Sequence, residues 1–239
     1  MSVDHSAYLA WQLQLLAYSH AQVGQTGSFV ALDHEEVVEG DDYPPYNRPF
    51  AIARWLERAK PADDDVVLHV DPDMIFVRAL DLGALRHLPV ADDGRYPLQP
   101  SGAAALRRYV RAPDRVRVPV VPFVMRVADL ARVTPAWCSW TLRLRADDAA
   151  RRALGWNCEL WAFALASREV GLRLDQGYLA SMPPLEAPAR PCFVHYAWKT
   201  YDFDKRSYVP WADLRGARHP GHVALQDTIA DFREELEVA

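Results

Sequence analysis

Two carboxylates, Asp71 and Asp73, stand one residue apart at the end of the apolar run Val66-Val67-Leu68-His69-Val70. A run of this length and valine content reads as a strand. Pro72 has no amide hydrogen to give a ladder and disfavours helix for Asp71, so the strand stops there. The two carboxylates are expected at the carboxyl edge of a parallel sheet, the edge where open α/β sheets bind ligands. Hard oxygen donors in that place suit Mg2+ or Mn2+ bridging to a diphosphate. Read by itself, the same Asp-x-Asp describes a solvated acidic turn equally well.

The elements that must position this turn can be read on either side of it. Ser6 to Val23 has leucines at helical spacing and a broad apolar face, stopped by Gly24-Gln25-Thr26-Gly27. Ser28 to Leu32 reads as a short strand. An acidic loop then runs to Pro44-Pro45. Asn47 is expected to cap a helix over Pro49 to Ala59, with proline favourably placed in its first turn. Arg48 beside that helix start could join the helix amides in binding phosphate, or could be a surface arginine. Further on, Ile75 to Val77 follows the turn as a strand, and Leu82 to Leu88 as a short helix. A strand at Tyr96 to Gln99 and a helix at Gly102 to Arg111 come next. Pro119 to Met125 is a second apolar strand.

Helices dominate the next stretch. They are expected at Val127 to Val133, at Pro135 to Arg145 capped by Thr134, and from Asp148 towards Val170 with a break near Gly155. Short strands at Leu172 to Leu174 and Tyr178 to Ala180 follow. After the proline-rich run Pro183 to Pro191, Phe193-Val194-His195-Tyr196 reads as a last core strand. Lys199, Asp202, Asp204 and Lys205 lie in a polar loop, and a helix over Val223 to Glu237 ends the chain. No repeat or linker divides the sequence, so residues 1–239 are read as one domain. A doubly wound fold normally opens with a strand, and only Ser2-Val3-Asp4 could be its remnant.

The bulk numbers exclude some classes. A formal net charge of −5 and no basic stripe argue against nucleic-acid binding. Cys138, Cys158 and Cys192 form no Cys-x-x-Cys pair and are odd in number, which fits free thiols rather than zinc or a disulfide framework. No window offers about 18 uninterrupted apolar residues, so no membrane span is expected. The first residues lack the pattern of a signal peptide, and a cytoplasmic placement is the expectation.

Several blocks, in one order along the chain, resemble the plant peptidyl glycosyltransferases. These are the peptidyl serine α-galactosyltransferases and the related hydroxyproline O-arabinosyltransferases. The blocks are Tyr8-Leu9-Ala10-Trp11-Gln12, Tyr18-Ser19-His20, Gly24-Gln25-Thr26-Gly27, Tyr46-Asn47-Arg48-Pro49, Trp55-Leu56 and Val70-Asp71-Pro72-Asp73-Met74-Ile75. They continue with Gly155-Trp156-Asn157-Cys158-Glu159-Leu160-Trp161, Glu169-Val170-Gly171-Leu172 and Phe193-Val194-His195-Tyr196.

The resemblance implies a GT-A fold, an α/β architecture with a Rossmann-type mixed sheet flanked by helices, here with its opening strand cut short. It implies transfer of a sugar, with retention, from a nucleotide-sugar donor that is UDP-linked, with Mn2+ or Mg2+ as cofactor. The acceptor would be a hydroxyl on a peptide, a metabolite or a glycan. Asp71, Asp73 and His195 take the positions of metal ligands, and Asp71 also faces the donor. Arg48 stands where the family has a lysine, keeping the charge but not the geometry. Asn47 and Trp156 fall in the matching blocks as substrate-binding candidates. Arg48 and Lys199 are the candidate cationic clamp for a leaving diphosphate. Glu159 is the catalytic candidate, placed to orient an acceptor hydroxyl, hold the donor sugar or stabilise an oxocarbenium-like centre. Two other readings stand beside this one. One is a sugar-nucleotide-binding module with impaired catalysis. The other is a haloacid-dehalogenase-like phosphohydrolase, which would need its Asp-x-Asp on the first strand and a later acidic pair such as Asp147-Asp148.

Overall fold

A computed structural model describes residues 2–3, 7–33, 43–85, 88–93, 99–177, 179–181, 190–197, 199, 203–212, 214 and 219–238. The architecture is mixed α/β, with strands in small ladders and helices packed around them. The elements in order are β1 (Ser2–Val3), α1 (Ala7–Gln22), β2 (Leu32–Asp33), α2 (Asn47–Ala59), β3 (Val66–His69), β4 (Met74–Phe76) and β5 (Val90–Asp93). They continue with α3 (Pro100–Leu106), β6 (Pro119–Arg126), α4 (Val127–Ala146), α5 (Asp148–Leu154), α6 (Cys158–Glu169), β7 (Asp175–Gln176), β8 (Ala180–Ser181), β9 (Phe193–His195) and α7 (Pro220–Val238).

Three ladders form. Strand β1 runs parallel to β2. The largest ladder has the order β3-β6-β5-β7, with β6 antiparallel to both β3 and β5, and β7 parallel to β5. The third has the order β4-β9-β8. The run before Asp71 is thus a strand, but its partner β6 is antiparallel, not parallel as expected. A valine-rich run looks alike in either kind of sheet, so periodicity alone does not decide its neighbour.

Alternation in the third ladder divides its side chains between two cores. Ile75 and Val194 face each other and join Trp11, Leu15, Leu225 and Ile229 of α1 and α7. The alternate residues Met74, Phe76 and Phe193 turn into the main core with Trp137, Phe163 and Leu130. Within α1, the buried Ser19 hydroxyl donates to the Leu16 carbonyl and accepts the Phe76 amide at 3.0 Å, tying the helix to β4.

Local details depart from expectation for physical reasons. Among the described residues, 28–31 form no strand, and only Leu32–Asp33 of the expected stretch and its neighbour pairs. Asn47 is the first residue of α2 and not its cap; a 3-10 turn over Pro44–Tyr46 leads straight in, and Tyr46 is already helical. The side chain of Asn47 is outside the described residues. The expected break at Thr134 is absent, and α4 runs through Pro135. Thr134 is buried and its hydroxyl donates to the Leu130 carbonyl at 2.6 Å, a bond within the helix in place of a cap. At Leu82–Ala84 only a 3-10 turn forms. A strand unexpected from the sequence, β5, occupies Val90–Asp93, while most of the expected Tyr96 to Gln99 strand falls outside the described residues. Gly155 does break the helical run, in the left-handed region at φ 51°, which frees α6 to start in a new direction. Among the described residues no helix is long and apolar enough to cross a membrane.

Candidate active site

The turn between β3 and β4 is fixed from below by backbone. Met74 pairs with His195, and the amide of Tyr196 donates to the Asp73 carbonyl at 3.1 Å, extending the β4–β9 ladder into the turn. The ladder therefore delivers His195 beside Asp73: its Nε2 lies 3.3 Å from Asp73 Oδ1. Asp71, Asp73 and His195 each offer one donor atom within 4.8 Å of the others. Lys205 is ion-paired to the other oxygen of Asp73.

On the other side of the turn, Arg48 reaches over from the first turn of α2. Its Nη2 donates to both oxygens of Asp71, at 2.6 and 2.9 Å, and its Nη1 donates to Glu159 Oε2 at 2.7 Å. Glu159 sits in the first turn of α6, where the helix dipole favours a carboxylate, and is almost wholly buried. Its second oxygen, Oε1, is buried and has no hydrogen-bond partner among the described residues. Tyr43 fixes the local backbone: its hydroxyl accepts the Glu159 amide at 3.0 Å and donates to the Trp156 carbonyl. The Trp137 indole donates to the Glu159 carbonyl at 3.2 Å.

These contacts set the charges. Burial pushes the Glu159 carboxyl up to about 7, against the pull of Arg48, and Asp71 adds to the rise. Burial would also raise Asp73, but His195 and then Lys205 outweigh it and hold that carboxyl well below the usual range. Burial works against the charge of Arg48 too, yet Asp71 and then Glu159 keep the guanidinium firmly protonated. Three carboxylates thus share two fixed cations.

Of the candidates read from the sequence, Arg48, Asp71, Asp73, Glu159 and His195 come together in this cluster. Trp156 lies at its margin, 66 % exposed, with its ring edge-on to Tyr43 at 6.0 Å between centroids. Lys199 does not join: it is exposed and paired with Asp204 at 3.1 Å. The lysine that reaches the cluster is Lys205, six residues on. No spacing rule distinguishes two lysines in one polar stretch of sequence. Tyr43 is likewise hidden in a loop, with no periodicity to mark it. Asp147-Asp148 plays a structural role, in which Asp147 caps α5 and binds Arg108 and the Tyr109 hydroxyl.

The donor set at the turn fits a divalent cation. Neighbouring ligands in an octahedron with bonds of about 2.1 Å stand about 3 Å apart, close to the Asp73–His195 separation of 3.3 Å. Carboxylate oxygens suit Mg2+ and Mn2+, and an added imidazole is more at home on Mn2+.

Arg48 joins Asp71 to the buried Glu159, Asp73 beside them is held by His195 and Lys205, and relatives define the class of this cluster. Residues 25–176 match the model of the hydroxyproline O-arabinosyltransferase family N-terminal domain. That stretch includes Arg48, Asp71, Asp73, Trp156 and Glu159, while His195 and Lys205 follow it. The chain is 25% identical over 255 residues to hydroxyproline O-arabinosyltransferase PLENTY of Lotus japonicus, covering 87% of this chain and 70% of the relative. To hydroxyproline O-arabinosyltransferase 3 of Arabidopsis thaliana it is 26% identical over 255 residues, with 87% and 71% covered. A peptidyl serine alpha-galactosyltransferase of Chlamydomonas reinhardtii is 25% identical over 247 residues, with 86% and 33% covered. The protein is a glycosyltransferase. It belongs to the hydroxyproline O-arabinosyltransferase family, and the phosphohydrolase alternative falls away.

Proposed function

We propose that this chain transfers a sugar from a UDP-linked donor to a hydroxyl on a peptide, in a GT-A-like site that uses Mn2+ or Mg2+. The observation that carries the reading is the convergence of Asp71, Asp73 and His195 on one point, with Arg48 joining that point to the buried Glu159. Asp71, Asp73 and His195 hold the cation, which when bound supplies Lewis-acid stabilisation of the departing diphosphate. Arg48 and Lys205 add fixed positive charge on either side of the turn, where negative charge grows as the bond to the sugar breaks. With these charges in place the leaving group needs no proton from the protein. Glu159 Oε1 is a buried acceptor in want of a donor, and a hydroxyl of the bound sugar supplies it. The exposed Trp156 ring offers an apolar platform for the ring of a sugar or of the acceptor. A peptide acceptor is supported by the names of relatives that act on hydroxyproline and on peptidyl serine.

The test is a screen of UDP-sugars with hydroxyproline- and serine-containing peptides, in Mn2+ and in EDTA, reading both released UDP and glycosylated peptide. Turnover in Mn2+ that EDTA abolishes is expected. Nucleotide-sugar binding without turnover of any donor would instead favour an impaired binding module.

A further inference from the structure

A cavity of about 340 Å³ opens between the ends of β5 and α6 and the start of β6. Arg115, Arg117, Arg168 and Arg173 all line it, in a chain whose formal net charge is −5. Among the described residues the guanidiniums of Arg115, Arg168 and Arg173 have neither ion pair nor hydrogen bond. The carbonyl end of α6 accounts for cations at Arg168 and Arg173. It does not account for Arg115 and Arg117, which come from the segment before β6. The three unpaired guanidiniums of Arg115, Arg168 and Arg173 around one opening repel each other unless an anion answers them. The cavity wall also holds Ser167, 4% exposed, whose hydroxyl is buried with no partner among the described residues. A buried hydroxyl left so is costly, and an oxygen-rich ligand would relieve it. Among the described residues of the lining the carboxylate is Asp92, which accepts the amides of Leu179 and Ala180, at 2.7 and 2.8 Å.

The cavity has a defined position relative to the cluster around Asp71. Strand β6 places Phe123 opposite His69, and Val120, which faces Asp92, lies three residues further towards the same edge. The cavity and the Asp71–Asp73 turn therefore share one edge of the ladder. Helix α6 spans between them: Glu159 is in its first turn and Ser167 is eight residues on, about 12 Å by helix rise. An extended peptide covers that distance in about four residues.

We infer that this cavity is an acceptor subsite that takes a carboxylate side chain of the peptide, about four residues from the hydroxyl that receives the sugar. The inference rests on the peptide-acceptor reading above. Planar guanidiniums bind carboxylates in paired hydrogen bonds, so several of them around a cavity select acidic over neutral side chains.

The experiment uses two labelled hydroxyproline peptides, one with Glu and one with Gln four residues to each side of the acceptor. Binding to the full chain is read by fluorescence anisotropy, and transfer in parallel. The Glu peptide is expected to bind about tenfold more tightly, with the preference shrinking in high salt. R115A/R168A/R173A should erase the preference and leave binding of the Gln peptide unchanged, while R115K/R168K/R173K retains most of it. Equal binding of the two peptides, or a preference that survives R115A/R168A/R173A, overturns the subsite. Tight binding of the Glu peptide with no transfer to either peptide would instead contradict the transfer reading, with the carboxylate subsite upheld.

Discussion

The two carboxylates of one turn live in different surroundings. Asp71 is one-fifth exposed and answers to elements on its own side: Arg48 of α2 and, through it, Glu159 of α6. Asp73 is more buried and answers to the far end of the chain: His195 of β9 and Lys205 beyond it. The first group is a carboxylate–arginine–carboxylate bridge with more negative than positive charge. The second is a carboxylate between two nitrogen bases. One short motif is thus held by two separate electrostatic systems, which meet only at the metal position.

The largest effects on this contrast are expected from the pair D71N and D73N. Both should lose metal-dependent donor binding, with turnover down by at least about 10²–10³-fold. They should differ in stability. D73N leaves Lys205 buried without its partner and should cost about 3–5 kcal/mol in urea unfolding. D71N leaves Arg48 still bound to Glu159 and should cost clearly less. Equal losses would erase the distinction between the two halves.

Arg48→Met comes next. It strips the charged partner from a buried Glu159 and should cost about 2–4 kcal/mol, largely recovered in R48M/E159Q. No recovery in the double variant would show that Arg48 acts through packing alone.

The halves should also differ in pH dependence, measured in EDTA. Glu159 is raised from 4.5 to about 7 in the folded chain. Its contribution to stability is fully present below 4.5 and is lost as pH rises through 7. Wild type should therefore lose about 3 kcal/mol relative to E159Q between pH 4.5 and 8. Asp73 is depressed, so its contribution is present above 3.8 and is lost as pH falls towards the folded value. Wild type relative to D73N should weaken only in strong acid. The same sign of slope for both pairs would contradict the assignment.

The smallest effects separate two lysines. K205A should lower kcat/KM by about 10–100-fold through loss of one cation beside the diphosphate. K199A, which removes only an exposed pair with Asp204, should change it less than about twofold.

Much of this is legible in the sequence because local chemistry dictates it. Pro72 ends β3, Gly155 breaks the α5–α6 run, and apolar spacing marks α1, α2 and α6. Asp71, Asp73, Arg48, Glu159 and His195 can be singled out from ordered blocks, and the structure brings them together. Other features depend on contacts distant in sequence. The antiparallel partner of β3 lies some fifty residues on, and a valine run carries no label for it. Lys205 and Lys199 are alike in sequence, and only their contacts, Lys205 with Asp73 and Lys199 with Asp204, tell them apart. Tyr43 acts through its hydroxyl on the backbone of residues more than a hundred positions away. Thr134 resembles a cap because its side chain bonds to backbone in caps and helices alike.

Everything proposed for the turn depends on Asp71, Asp73 and His195 holding one divalent cation that carries the donor diphosphate. The direct measurement is titration of Mn2+ into wild type, D73N and H195A, with and without UDP, followed by the Mn2+ electron paramagnetic resonance signal. One tight site is expected in wild type, strengthened by UDP and lost in both variants. Binding of Mn2+ with UDP that is unchanged in D73N and H195A would contradict it.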